Sequence, residues 1–120
     1  MPICPVRNAH PALGALAKAP RLRFVELADE DGPYAAAAIG EHSDCLELHL
    51  VALRFGPATV RALRADLEEL KAEARRLGKK RIVGLRVEDG QAPDPRWPKF
   101  TRLFGFTGQR VFQAAELAVE

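Results

Sequence analysis

CLELHLVALRFGPATVRALRADLEELKAEARRLGKKRIVGLRV, residues 45–87, decides the fold. Leu46, Leu48, Leu50 and Ala52 alternate with Cys45, Glu47, His49 and Val51, which predicts a strand over 45–53 with one apolar face. The other face carries two ionisable groups two residues apart, beside a thiol. Gly56-Pro57 then sets a proline at a first helical position. Val60, Leu63, Leu67, Leu70, Ala74 and Leu77 follow at spacings of three and four, one apolar stripe of a helix. Arg75 and Arg76 complement the dipole of its last turn, and Gly78 supplies the left-handed stop. KRIVGLRV, residues 80–87, reads as a buried strand. The run is a βαβ unit, whose strands are expected to be parallel with a right-handed crossover.

Upstream, LRFVELA (22–28) and YAAAAIG (34–40) read as strands, and Asp29-Glu30-Asp31-Gly32 is a turn signal between them. Alanine favours helix locally, but the short length and flanking turns favour strand for 34–40. An antiparallel hairpin results. Residues 9–19 read as a short helix with Pro11 in its first turn, with Leu13, Leu16 and Ala17 on one face, and with Pro20 ending it. Downstream, EDGQAPDP (88–95) is loop. Asp94 caps a short helix with Pro95 at its first position, and Trp97, Phe100, Leu103 and Phe104 form its apolar side. Gly105 ends it, and FTGQRVFQAAELAV (106–119) returns as strand with Gly108 at a bulge or turn.

The chain of 120 residues is long enough for one core, and no repeat or low-complexity linker divides it. Residues 1–120 are therefore read as a single domain. Apolar residues at 48% and charged residues at 28% exclude a disordered chain. A net charge of +2 is too small to imply a nucleic-acid partner. No eighteen-residue apolar window and no apolar signal-peptide core are present, so no membrane contact is expected and the expected compartment is cytoplasmic. Cys4 and Cys45 form no C-x-x-C pair and give no support for a zinc or redox site, so no metal is expected; two separate thiols are the plain reading. The basic residues 79–81, with Arg75 and Arg76, complement a helix end, or touch phosphates. The aromatics Trp97, Phe100, Phe104, Phe106 and Phe112 have core spacing, with no Arg or Lys on the same face to make a stacking platform.

Three stretches, LHLVALRFGPATVRAL (48–63), GKKRIVGLRV (78–87) and WPKFTRLFGF (97–106), resemble in their order the GNAT N-acetyltransferase superfamily. The resemblance covers roughly residues 22–112. It implies an α/β domain with a GNAT-like mixed sheet, antiparallel N-terminal strands, a central βαβ unit and helices on both faces. The region before residue 22 is shorter than the family's first strand and two helices. WPKFTRLFGF also resembles reduced, phage-associated members, some of which look like non-enzymes.

The family's pyrophosphate loop follows [Q/R]-x-x-G-x-[G/A], in which backbone N–H groups at a helix N-terminus hold phosphate oxygens. With Arg54 in the basic position, Pro57 and Thr59 stand where small residues belong. With Gly56 and Ala58 in the small positions, Leu53 stands where the basic residue belongs. Pro57 removes one donor, and those of Ala58, Thr59 and Val60 remain. An ordinary helix start explains Gly56-Pro57 equally. By the resemblance, acyl-CoA contact falls on Val51, Leu53, Arg54, Gly56, Ala58, Thr59 and Val60.

Glu47 and His49 lie on the strand where the family often carries its base, and either is a candidate catalytic group. A half-buried polar edge is the structural alternative. The tyrosine that often protonates the family's leaving thiolate is replaced by Thr101, and threonine is no acid near neutral pH. Two functions stand open. One is an acyl-CoA-dependent N-acyltransferase using acetyl-CoA or another acyl-CoA on a small amine or a protein amine. The other is a non-catalytic GNAT-like protein, a phage-associated, assembly or regulatory module that has lost efficient acyl-CoA use and acts by a protein contact or as a homodimer.

Overall fold

The computed structural model describes residues 3–85, 97–108, 115, 117 and 118. They fall into two compact units, Met1–Val87 and Glu88–Glu120.

The first unit is built on a five-stranded sheet in sequence order: β1 (Ile3–Val6), β2 (Arg23–Asp29), β3 (Gly32–Glu41), β4 (Cys45–Ala52) and β5 (Arg81–Leu85). Neighbours from β1 to β4 are antiparallel, and β4 pairs with β5 in parallel from Cys45↔Arg81 to His49↔Leu85. The sheet is therefore mixed, as the sequence pattern requires. The expected hairpin is present, closed at Asp29↔Gly32 and tightened by Asp31 N–H donating to Asp29 Oδ1 at 2.9 Å. Its register shifts between Leu27 and Ala28, leaving Tyr34 as an extra residue in β3.

Strand alternation sends the row Val25↔Ala37↔Leu50 to one face. There it meets Leu63, Leu67 and Leu70 of α1 (Pro57–Arg76). Ala36, Ala38 and Val51 go to the other face and pack with Leu13 and Leu22. Helical segments thus cover both faces, α1 on one and a 3₁₀ helix (Pro11–Lys18) on the other. The doubly covered β3 explains its composition: Ala35–Ala38 are all fully buried, so small side chains fill a central strand despite their helical preference.

The α1 stripe is as expected at Leu63, Leu67, Leu70 and Ala74, which are buried, but Leu77 is exposed at the C-cap rather than part of the seam. Beyond it Gly78 N–H donates to Arg75 O at 3.1 Å and Lys79 N–H to Ala74 O at 2.8 Å, a Schellman closure. Gly78 adopts φ 75, so Gly78→Ala is expected to cost about 1 kcal/mol. Urea denaturation measures it, and an unchanged midpoint would contradict the role of this stop.

Three expectations change. Residues 9–19 are not an α-helix but two short 3₁₀ turns split at Gly14, whose φ 57 and ψ −129 interrupt the helical path. His10 Nδ1 caps the segment by accepting from Ala12 N–H at 3.0 Å, and Ala17 is exposed while Leu13 is buried. The short strand β1 was not expected, because Pro5 interrupts it; an edge strand tolerates a proline. In the second unit, α2 (Trp97–Leu103) forms and Gly105, at φ 90, follows it, but Phe106–Gly108 lie in no regular element. Ala115, Leu117 and Ala118, the other described residues of the expected final strand, also lie in no regular element, while Phe112 and the remaining residues of that strand, residues 86 and 87, and the cap at Asp94-Pro95 lie outside the described residues. Phe100 packs against Trp97 within α2 and edge-on against Phe104 just after it, with centroids 6.2 and 5.2 Å away. No described helix is long and apolar enough to cross a membrane.

Candidate functional site

Glu47 and His49 stand together on β4, opposite Gly40 and Ala38, on the face away from α1. Both are buried. The carboxylate of Glu47 gathers three side chains. Arg21 grips it with both terminal nitrogens, Nη1 on Oε1 and Nη2 on Oε2 at 3.1 Å. His42 Nε2 meets Oε1 at 2.8 Å, and His49 Nε2 meets Oε2. The Arg21 hydrogen bond is the largest influence and holds the Glu47 carboxyl down at about 2, against the opposing effect of burial; the two histidines add to the lowering. Glu47 is a permanent anion near neutral pH, with its oxygens engaged. That arrangement orients imidazoles better than it accepts protons.

The clamp requires a glycine beside it. A Cβ on Gly40 would lie 2.9 Å from Leu22 Cδ2, 3.0 Å from Arg21 Nη1 and 3.2 Å from Glu47 Oε1. Arg21 and His42 were not singled out from the sequence. Arg21 lies outside any regular element, where periodicity carries no signal. His42 did leave a signal: it sits in the β3–β4 turn, its N–H donating to Cys45 O at 2.9 Å, and hairpin pairing brings such a residue back beside Glu47.

The start of α1 is open in part. Gly56 is its N-cap, Pro57 follows, and no side chain caps it. The first helical amides have no carbonyl a turn earlier, which applies here to Ala58 and Thr59. Val60 N–H donates to Gly56 O at 3.0 Å, closing the first helical bond, so this donor is already engaged. Ala58 is exposed, whereas Thr59 is buried. Val51 packs in the apolar cluster beneath the 3₁₀ helix. The N–H groups of Leu53 and Arg54 both donate to Tyr34 O, at 2.8 and 3.1 Å. The guanidinium of Arg54 turns to the β2–β3 turn, donating to Asp29 Oδ1 at 2.7 Å and Gly32 O at 2.9 Å. For Arg54 to meet a phosphate, this contact must open.

A second buried polar pair escaped the sequence reading. Tyr34 OH donates to Asp66 on the inner face of α1. Burial, and then the Asp66 contact, raise the Tyr34 phenol above its ordinary value, and burial raises the Asp66 carboxyl. Thr101, where the family often has a tyrosine, directs its hydroxyl at the α2 carbonyls of Trp97 and Pro98, 3.0 and 3.2 Å away. The basic residues after α1 meet acids at the end of β3 and in the β3–β4 turn: Lys79 lies 4.0 Å from Glu41 and Arg81 3.2 Å from Asp44.

The chain is similar in fold to solved structures described as putative or probable acetyltransferases. One is described as a putative acetyl transferase from Pyrococcus furiosus, with TM-score 0.51 and 14% identity over 80% of this chain; the chain spans 66% of that structure, just under two thirds. A probable acetyltransferase has TM-score 0.53 and 12% identity, over 91% of this chain and 75% of the other. A putative acetyltransferase from Bacillus subtilis has TM-score 0.50 and 18% identity, over 90% and 70%. No family model and no curated protein matches the sequence. The chain has the GNAT-type acetyltransferase fold, and at these identities the likeness concerns the fold alone.

Proposed function

We propose that the protein is an acyl-CoA-dependent N-acyltransferase, with acetyl-CoA or a related thioester as donor and a small amine or a protein amine as acceptor. One observation supports this most. A single passage of chain, β4 into α1, carries an imidazole–carboxylate pair at Glu47 and His49 and then a helix start without a side-chain cap at Gly56. Thioester aminolysis needs both: a place for diphosphate charge, and a group that takes a proton from nitrogen. The amides of Ala58 and Thr59, with the helix dipole, favour phosphate oxygens, while Val51, Leu53, Arg54, Gly56 and Val60 shape the approach. Glu47 fixes the imidazole of His49 through Nε2, which leaves its other ring nitrogen to take a proton from the reacting nitrogen.

Acetyl-CoA at 100 times its dissociation constant should stabilise the fold by about 2.7 kcal/mol. Thermal unfolding with and without acetyl-CoA tests this, with Glu47→Ala as a variant outside the phosphate contacts. No shift at millimolar acetyl-CoA would overturn the reading.

The engagement of Arg54 with Asp29 and Gly32 favours a second reading. In it the domain is a non-catalytic relative, phage-associated or regulatory, acting through a protein contact. That reading requires acetyl-CoA to be without effect and the purified protein to form a specific complex or homodimer.

A further inference from the structure

Glu47 holds two imidazoles, and only one of them is open to solvent. The His42 side chain is 48% exposed, and that of His49 is 6% exposed. An ionised carboxylate only accepts hydrogen bonds, so the ring nitrogen facing it must carry the hydrogen. For both histidines that nitrogen is Nε2. A neutral imidazole has one N–H, which leaves Nδ1 as a bare lone pair. His10 differs, because its Nδ1 accepts from Ala12 N–H. Among the described residues His42 Nδ1 has no hydrogen-bond partner.

We propose that His42 is the general base that takes the proton from a cationic primary amine acceptor, with Glu47 as its positioning residue. The assignment rests on the acyltransferase reading and specifies the protonation state in which the acceptor arrives. The ammonium N–H bond breaks, its proton passes to His42 Nδ1, and the electron pair stays on nitrogen. The resulting imidazolium faces the Glu47 carboxylate and, being exposed, releases its proton to water. The free amine attacks the thioester carbon and the C–S bond breaks toward sulfur. A second N–H proton goes to the thiolate, through buried His49, which has the same bare Nδ1. Ammonium and thioester thus give amide, thiol and one proton in solution. Two protons leave nitrogen, and two histidines on one carboxylate divide them, which suits a chain with threonine at position 101.

Nitrogen-15 NMR of the full chain, at a pH where imidazole is neutral, reads the tautomers directly. His42 is expected to be protonated at Nε2 and bare at Nδ1, and Glu47→Gln is expected to lose this fixed tautomer. Carbethoxylation by diethyl pyrocarbonate, mapped by peptide mass spectrometry, should modify His42 before His49. A His42 protonated at Nδ1 in the unaltered protein, or His49 modified first, would overturn the assignment. The tautomer in the unaltered protein decides the point even where Glu47→Gln does not fold. The expected tautomer together with no acetyl-CoA binding would instead overturn the acyltransferase reading, and with it the amine as the partner of His42. With acetyl-CoA binding intact and any acceptor turned over, His42→Gln should lower kcat about 100-fold, with rescue by free imidazole.

Discussion

Lowering the pH from about 4.5 to about 2 should remove about 3 kcal/mol of folding stability through Glu47 alone. The folded protein holds this carboxyl below its unfolded value, so its contribution is complete above the unfolded value. It is lost as pH falls through the folded one. The physical origin is the Arg21 clamp on a buried carboxylate, helped by His42 and His49. Protonation turns an acceptor of several charged donors into a neutral acid with one hydrogen facing them. Urea unfolding at stepped pH should show the loss in the unaltered protein and its disappearance in Glu47→Gln. An acid limb of equal size in both would show that the stability resides elsewhere. Asp66 acts with the opposite sign. Its folded value is raised, so it adds stability as pH falls through that value, and Glu47→Gln should expose this gain.

Tyr34→Phe is expected to cost roughly 2–3 kcal/mol, because it removes the hydroxyl that donates to a buried carboxylate and replaces it with nothing. Shape is preserved, so the loss reports the hydrogen bond rather than a cavity. The sign of its pH dependence identifies the cause. Above the raised value of Asp66 the variant buries an unpaired charge; below it the acid is neutral and the penalty shrinks. Asp66→Asn in the Tyr34→Phe background should restore part of the loss near neutral pH by removing the charge. A Tyr34→Phe penalty independent of pH, or one within about 0.5 kcal/mol of zero, would contradict this account.

The legible parts of the fold were those where one period runs without interruption. Alternation in 45–52 and the leucine stripe of 57–76 gave β4 and α1 nearly to the residue, and the parallel β4–β5 pairing follows from the helix between them. Pro5 and Gly14 broke the pattern upstream, so an edge strand and a pair of 3₁₀ turns were missed or misread. Ala35–Ala38 were ambiguous because composition reports burial on two faces only after the layers are known. Within the site, period two placed Glu47 and His49 on one face, but it carries no information about partners from other segments. Arg21 is 26 positions from Glu47, and its presence changes Glu47 from a candidate base into a fixed anion. Asp66 was visible in principle. It lies within the apolar stripe, between Leu63 and Leu70, where a carboxylate demands a buried partner.

The Tyr34 bulge bears on where this domain accepts foreign sequence. Exposed hairpin tips are ordinarily favoured for tags, loops and circular permutation. The tip at residues 29–33 is different, because Asp29 and the carbonyls of Gly32 and Pro33 hold Arg54, while the Tyr34 carbonyl holds the backbone of Leu53 and Arg54. Lengthening the tip would change the geometry at the head of α1, more than twenty positions along the chain. The β3–β4 turn, which carries His42, is equally unsuitable. For grafting, the first unit has fewer permissive loops than its exposed surface suggests.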